Sequence, residues 1–441
     1  MARFNIDELV YELVTNKDVH QKHEIAVKIR EAAWQEGAYL ASIYNLYKAR
    51  GKGQFRGFTV PAINLRALTF DLARAIIRVA KNGDSGAFIF EIARSEMGYT
   101  DQTPTEYAAV CLAAALKEGF IGPIFIQGDH FQVNAKKFAQ DAQKETDALK
   151  KLIAESIEAG FFNIDIDSST LVDLTQADKA QEQKPNFQIC SQMSAAIRKL
   201  EPKGISISIG GEIGEVGKAN SSPEELDAFM QGYNAEIKKL NIKEGLAKIS
   251  VQTGTSHGGV VLPDGTIAKV KLDFDTLRVL SQMARTKYGL AGAVQHGAST
   301  LPEEAFHKFP EVETAEVHLA TQFQNMIYEH ELFPQDLRDT MYEWTKANCS
   351  DEKKPGQTEE QFIYQARKKA LGAFKKQLMD LPAKTKDKIS ASIEEKIDFL
   401  FTQLANMKTK DLVSTYIKPV EVVLDARKKE AAVDKHFEGD D

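Results

Sequence analysis

Cysteine is scarce in this chain of 441 residues: Cys111, Cys190 and Cys349 stand far apart, with no CxxC pair. That spacing excludes a disulfide framework and a thiolate metal knuckle, and it fits a reducing compartment with the thiols buried as small hydrophobes. An excess of positive charge is also missing. With 56 Lys and Arg against 63 Asp and Glu the net charge is −7, so no overall positive field exists to hold nucleic acid or an anionic membrane. No apolar run approaches the roughly 18 residues of a membrane helix, and the opening MARFNIDELVYELV carries charges where a signal peptide needs an apolar core. The expectation is a cytoplasmic protein with no membrane and no nucleic-acid partner. Repeats and low-complexity segments are absent, and 43% hydrophobic with 27% charged residues excludes a disordered chain.

At roughly 150 residues per domain the length allows about three domains, but the texture of the chain argues for one dominant unit. Residues 1–50 read as a helical segment that ends in the glycine-rich GKGQFRG, which misses GxGxxG because Arg56 holds the third place. Residues 51–331 alternate short apolar runs with helical patterns. Eight runs stand out, at 59–65, 87–93, 123–129, 161–169, 205–213, 248–255, 292–299 and 314–321. Between them lie stretches such as LTFDLARAIIRVA, which keeps Leu72, Ile76 and Ala80 on one face, and SPEELDAF, where Ser222 offers an N-cap followed by Pro223. Such alternation requires parallel strands with right-handed crossovers. Eight units over about 270 residues is the size of a (β/α)8 TIM barrel, although a doubly wound sheet alternates in the same way. Residues 332–441 read as a C-terminal extension of amphipathic, Lys-rich helices with a charged tail.

Polar residues collect where those runs end. Asn64 ends the first, Asp129 and His130 the third, Asp167 the fourth and Glu212 the fifth; His257 follows the sixth, His296 ends the seventh, and His318 lies in the eighth. In a βα barrel the strand ends converge on the active site, and buried polar groups there must be paired or metal-bound. Three of the nine histidines sit in the tips GDHF, TSHGG and QHGAS. Three imidazoles from separate tips make the open, three-ligand arrangement of a catalytic Zn2+. Asp129, one residue before His130, suits a general acid–base beside the metal; a hydrogen-bonding partner or helix N-cap is the other reading. His20, His23, His307, His330 and His436 read as surface residues.

FTVPAINLR, GDH, IDIDSS, GGEIG, GTSHGG followed by VKLDFDTL, QHGASTLPEE and VHLAT occur in register over about residues 45–330. In this the chain resembles the class II, zinc-dependent ketose-bisphosphate aldolases, and most of all their tagatose-bisphosphate branch; GDHFQVN also resembles the companion subunit of those enzymes. The resemblance implies a barrel rather than a doubly wound sheet. It implies that His130, His257 and His296 bind Zn2+, that Asp129 moves the proton of the C4 hydroxyl, and that Asp167 and Glu212 match acidic positions beside the metal. Gly258, Gly297, Ser299 and Thr321 match positions that hold the phosphate of the dihydroxyacetone half, where a monovalent cation commonly accompanies it, and Asn64 belongs to the substrate side. The implied reaction is reversible cleavage of fructose or tagatose 1,6-bisphosphate through a metal-stabilised enediolate, in a homodimer or homotetramer of carbohydrate metabolism.

The pattern departs from the family in three places. The Lys expected after the second metal histidine is Leu262, with Lys269 or Lys271 further on. The Asn usual in the last strand is His318, an imidazole able to donate or accept near neutrality. The paired acidic residues that some branches place after the glycines are missing, with Glu215 nearby. These departures keep two alternatives open, a metal-dependent sugar epimerase on the same barrel and a non-catalytic companion subunit of an aldolase.

Overall fold

A computed structural model describes residues 5–214, 219–255, 262–263 and 272–424. Its strands are β1 (Ala38–Ala41), β2 (Val60–Asn64), β3 (Ile89–Ala93), β4 (Gly122–Gln132), β5 (Asn163–Asp167), β6 (Ser208–Glu212), β7 (Lys248–Val251), β8 (Ala293–Gln295) and β9 (Glu316–Leu319). Each of the eight apolar runs is one of β2 to β9. These pair in chain order, all parallel, and β9 pairs back onto β2 with Ala62 opposite His318. The sheet therefore closes into the expected (β/α)8 barrel, with each of those eight strands paired on both sides and only the start of β4 extending below its pairing with β5.

Local chemistry supports each unit. Leu72, Ile76 and Ala80 are buried on the inner face of the helix Thr69–Asn82. Ser222 accepts a hydrogen bond from the Glu225 amide and Glu225 accepts one from the Ser222 amide, a capping box with Pro223 at the first helical position. No helix among the described residues is long and apolar enough to cross a membrane.

The N-terminal stretch differs from its reading as a helical segment at one place. The helix Val19–Gln35 stops at Gly37, whose φ of +87° only glycine adopts without strain, and Ala38–Ala41 becomes β1. Ala38 to Ala41 pair in parallel with Gly122 to Phe125 at the start of β4. A waiting partner edge thus overrides helical spacing. His23 was expected at the surface but is only 4% exposed, because it shares the inward row of its helix with Ala26 and Val27. His20 and His307 are exposed as expected, and His436 lies outside the described residues.

The helix Tyr44–Gly51 plugs the N-terminal end of the barrel. Tyr44, Leu46 and Tyr47 share an apolar cluster with Val60, Ile89 and Phe125, while the buried Arg50 donates to the carbonyls of Phe58, Glu313 and Thr314 just before β2 and β9. At the other end of the chain, the helix Ala383–Gln403 packs on Thr69–Asn82. Helices between Glu359 and Met379 lie beside the helix Arg94–Thr100 that leaves β3, and Thr358 Oγ1 donates to the carbonyl of Pro263 in the segment after β7. The extension therefore reaches the same mouth into which the strand tips open.

Candidate active site

Side chains stepping by two along a strand line one face, and here that face is the inside of the barrel. Val60, Ile89 and Phe125 make an apolar floor. One step up stand Glu91, Gln127, Asp165, Lys248 and Glu316, all at most 5% exposed. Another step up come Asp129, Asp167, Glu212, Ser250, His296 and His318, equally buried. Two charged levels replace the branched apolar layers that usually fill such a barrel.

Of the residues expected at the site, the upper level contains Asp129, Asp167, Glu212, His296 and His318, and His130 joins them. Asp129 and His130 are neighbours in β4, where an extended chain would point them apart. The chain turns instead. His130 has φ +36°, and the pairing with β5 shifts register between Gly128 and Phe131, a bulge that re-aims both side chains. Gly128 makes the bulge feasible, since a Cβ there would stand 2.4 Å from Cε1 of the Phe131 ring. His130 Nδ1 then lies 3.1 Å from Asp167 Oδ2 and 3.3 Å from Glu212 Oε2, while its Nε2 faces Asp129 Oδ1 at 3.8 Å.

His296, just beyond β8, packs in a tilted contact against His130, at 4.1 Å between ring centroids and 43° between planes, and against His318, at 4.1 Å and 51°. Its Nδ1 is 3.8 Å from Asp129 Oδ1 and its Nε2 is 2.9 Å from Ser250 Oγ. Asp129, His130 and His296 each place a donor atom within 4.8 Å of the others, and so do His130, Asp167 and Glu212. Two imidazoles and buried carboxylates converging in this way suit a divalent, nitrogen-accepting cation such as Zn2+. His257 and Gly258, together with Glu215, Lys269 and Lys271, lie outside the described residues.

Electrostatics follow from this crowding. Burial alone would lower the His130 and His318 imidazoles, but Asp129 with Glu212 beside the first, and Glu91 with Asp129 beside the second, outweigh it and hold both well above their usual value. Burial and then Asp167 push Glu212 up to about 8. Burial would also raise Asp167, yet its hydrogen bond and charge contact with His130 hold it below the usual carboxylate range.

Asn64 ends β2, buried, and donates to Glu96. Gly297 takes φ +65° directly before the turn Ala298–Thr300, in which Ser299 is buried, and Thr321 opens the helix Thr321–Tyr328. These three stand at the tips of β8 and β9. Sequence reading passed over the level beneath the histidines, although its signal was present: Gln127, Asp165 and Glu316 precede Asp129, Asp167 and His318 by two, the period of one strand face. Lys248 Nζ donates to Gln127 Oε1 at 2.7 Å, to Asp165 Oδ2 at 2.9 Å and to Glu316 Oε1, which also lies 2.7 Å from His318 Nε2. Arg66 and Glu96, an ion pair at the tip of β2, were passed over too.

A family model for class-II fructose-bisphosphate aldolase matches residues 45–400. Among solved structures, a probable tagatose 6 phosphate kinase from Sinorhizobium meliloti 1021 aligns over 81% of this chain and 99% of its own, at 17% identity and a TM-score of 0.54. A glycerol-complexed fructuronate-tagaturonate epimerase from Cohnella laeviribosi aligns over 90% and 86%, at 10% identity and a TM-score of 0.52. At these identities the likenesses show the fold. A fructose-bisphosphate aldolase from Campylobacter jejuni covers 84% of this chain and 97% of its own at 16% identity, with a TM-score of 0.49. No curated protein matched the chain.

Proposed function

The chain belongs to the class-II fructose-bisphosphate aldolase family, and on that premise we propose that it is a zinc-dependent aldolase that reversibly cleaves a phosphorylated ketose to dihydroxyacetone phosphate and an aldehyde. The observation that carries this reading is the convergence of His130 and His296 on Asp129 at the C-terminal mouth of the barrel. A Zn2+ held by His130 and His296, with His257 as the third ligand, would supply Lewis-acid stabilisation for the negative charge that develops on the ketose oxygens as C3–C4 breaks.

The protein groups have separable tasks. Asp129 takes the proton of the C4 hydroxyl during cleavage and returns it during condensation. His318, 3.1 Å from Asp129 Oδ1, holds that carboxylate in place. Asp167 and Glu212 fix the His130 ring through Nδ1, which leaves Nε2 directed toward His296 and Asp129, as second partners of metal-bound imidazoles do. Ser299, Gly297 and Thr321 stand where the phosphate end would lie. A Schiff base at Lys248, inside the barrel, is disfavoured: Lys248 is an ammonium clamped by Asp165 and Glu316 and raised by them despite burial, hence a poor nucleophile.

The test is metal analysis and product analysis on the same preparation. About one Zn2+ per chain is expected, with triose phosphate released from a ketose bisphosphate and both lost in His296→Ala. Fructose and tagatose 1,6-bisphosphate run side by side assign the C4 configuration. Interconversion of two ketoses without cleavage would replace the aldolase reading by the epimerase one.

A further inference from the structure

The family's phosphate-contacting Lys is Leu262 in this chain, and Leu262 is exposed, so the phosphate end of a substrate needs another cation. The need is acute because the net charge is −7 and the mouth itself holds Asp129, Asp167 and Glu212. In barrels of this type phosphate groups commonly settle beyond the seventh and eighth strands, which here are β8 and β9. The strand next to β9 in the closed sheet is β2, and two residues past its tip stands Arg66.

We propose that Arg66 is the cation that binds the phosphate monoester end of the substrate, its guanidinium aimed at the Thr321 side of the mouth by Glu96. The inference rests on the reading of the site as one for a phosphorylated ketose. Arg66 donates from Nε and Nη2 to the same Glu96 oxygen, at 2.7 and 2.6 Å. Its Nη1 points the other way, 3.3 Å from Gln324 Oε1 and 3.5 Å from Thr321 Oγ1. Glu96 is fixed in turn by the Ala93 amide at 2.8 Å and by Asn64. The side chain is 11% exposed and that of Glu96 3%, so the pair is held by protein on most sides and the direction of the fork is set before any ligand arrives. A planar donor held in one direction is suited to phosphate oxygens and loses little freedom on binding.

Calorimetric titration of the zinc-loaded, full-length protein with glycerol 3-phosphate tests this, because that monoester carries no keto group to chelate the metal; glycerol is the control. Arg66→Gln is expected to weaken binding at least roughly tenfold, and Arg66→Lys by less, since an ammonium keeps the charge but loses the fork. Glu96→Gln is expected to weaken it too, by less than Arg66→Gln, because the charge remains but the fork is no longer held toward Thr321. In kinetics, KM for the ketose phosphate rises in Arg66→Lys while kcat stays near the parent value. Thermal scans establish that each variant is folded, and if Arg66→Gln is not, the Lys and Glu96 variants decide. Equal affinity in parent and Arg66 variants overturns the assignment, as does a parent protein that binds glycerol 3-phosphate no better than glycerol. A parent that binds the monoester through Arg66 yet cleaves no ketose phosphate would remove the aldolase reading and leave Arg66 in place.

Discussion

Asp129 and His318 meet across the inside of the barrel, Oδ1 to Nδ1 at 3.1 Å. They come from β4 and β9, which are not neighbours in the sheet, so the contact exists only because the barrel is closed. The same imidazole reaches Glu91 at 3.1 Å through Nδ1 and Glu316 at 2.7 Å through Nε2. The proposed acid–base group is therefore tethered to a charged level beneath it rather than left to the solvent at the mouth.

Asp129→Asn keeps the volume of the side chain and removes its capacity to exchange a proton. Turnover should fall by roughly 10²-fold or more, with zinc content unchanged and the melting temperature within a few degrees. Parallel metal analysis and steady-state cleavage assays measure both. Full activity in this variant would take Asp129 out of the mechanism.

His318→Asn installs the residue expected from the family pattern, but a shorter amide cannot bridge Asp129 and Glu316 at once. A loss of about 10- to 100-fold in kcat is expected, with a smaller change in KM, because the contact is with Asp129 and not with the phosphate end. An unchanged kcat would show that His318 is a spectator that merely fills the barrel.

The barrel was legible because each strand is a compact apolar run followed by a helix with a clear inner face, and Asp129, Asp167 and His296 were legible because they end such runs. β1 was not, since AYLA is compatible with either periodicity and only the free edge of β4 decides it. Nor was the level of Glu91, Gln127, Asp165, Lys248 and Glu316: these lie inside the runs, where a single polar residue reads as noise until the closed barrel places five of them around one axis. Arg66 lay just past a strand tip, and its meaning depends on Glu96 and Thr321, which are distant in sequence. That the bulge at His130 turns two adjacent residues to one site is a property of backbone φ that spacing does not encode.

Gly51→Ala should separate stability from catalysis. A Cβ at Gly51 would sit 2.2 Å from the carbonyl oxygen of Gly289, so the plugging helix must lift from the barrel floor. Overpacking against backbone of this kind costs about 1–3 kcal/mol, visible as a lower melting temperature. Since the floor lies at the opposite end from the strand tips, kcat at 25 °C should stay near the parent value. A tenfold fall in kcat would mean that the floor and the mouth are coupled.

The charged level beneath His318 carries a pH signature with a definite sign. Burial would raise Glu316, but Lys248 and His318 outweigh it and hold it at about 2, below its unfolded value of about 4.3. A carboxylate lowered on folding adds stability above its unfolded pKa and loses it as pH falls toward the folded one, so this contribution should fade between about pH 4.3 and 2. Lys248→Met removes the ammonium and leaves Asp165 and Glu316 buried with His318 as their remaining cation, at a cost of about 3–5 kcal/mol at pH 7. The sign then inverts. With Lys248 gone, Asp165, which burial already raises to about 6, loses the charge that restrains it and rises further, and a raised acid favours the folded state as it takes up a proton. The gap in urea midpoint between parent and Lys248→Met should accordingly be widest near pH 7 and narrow toward pH 4. A gap that is constant over that range would show that Lys248 contributes packing alone and that the ion pairs beneath the site add nothing to its stability.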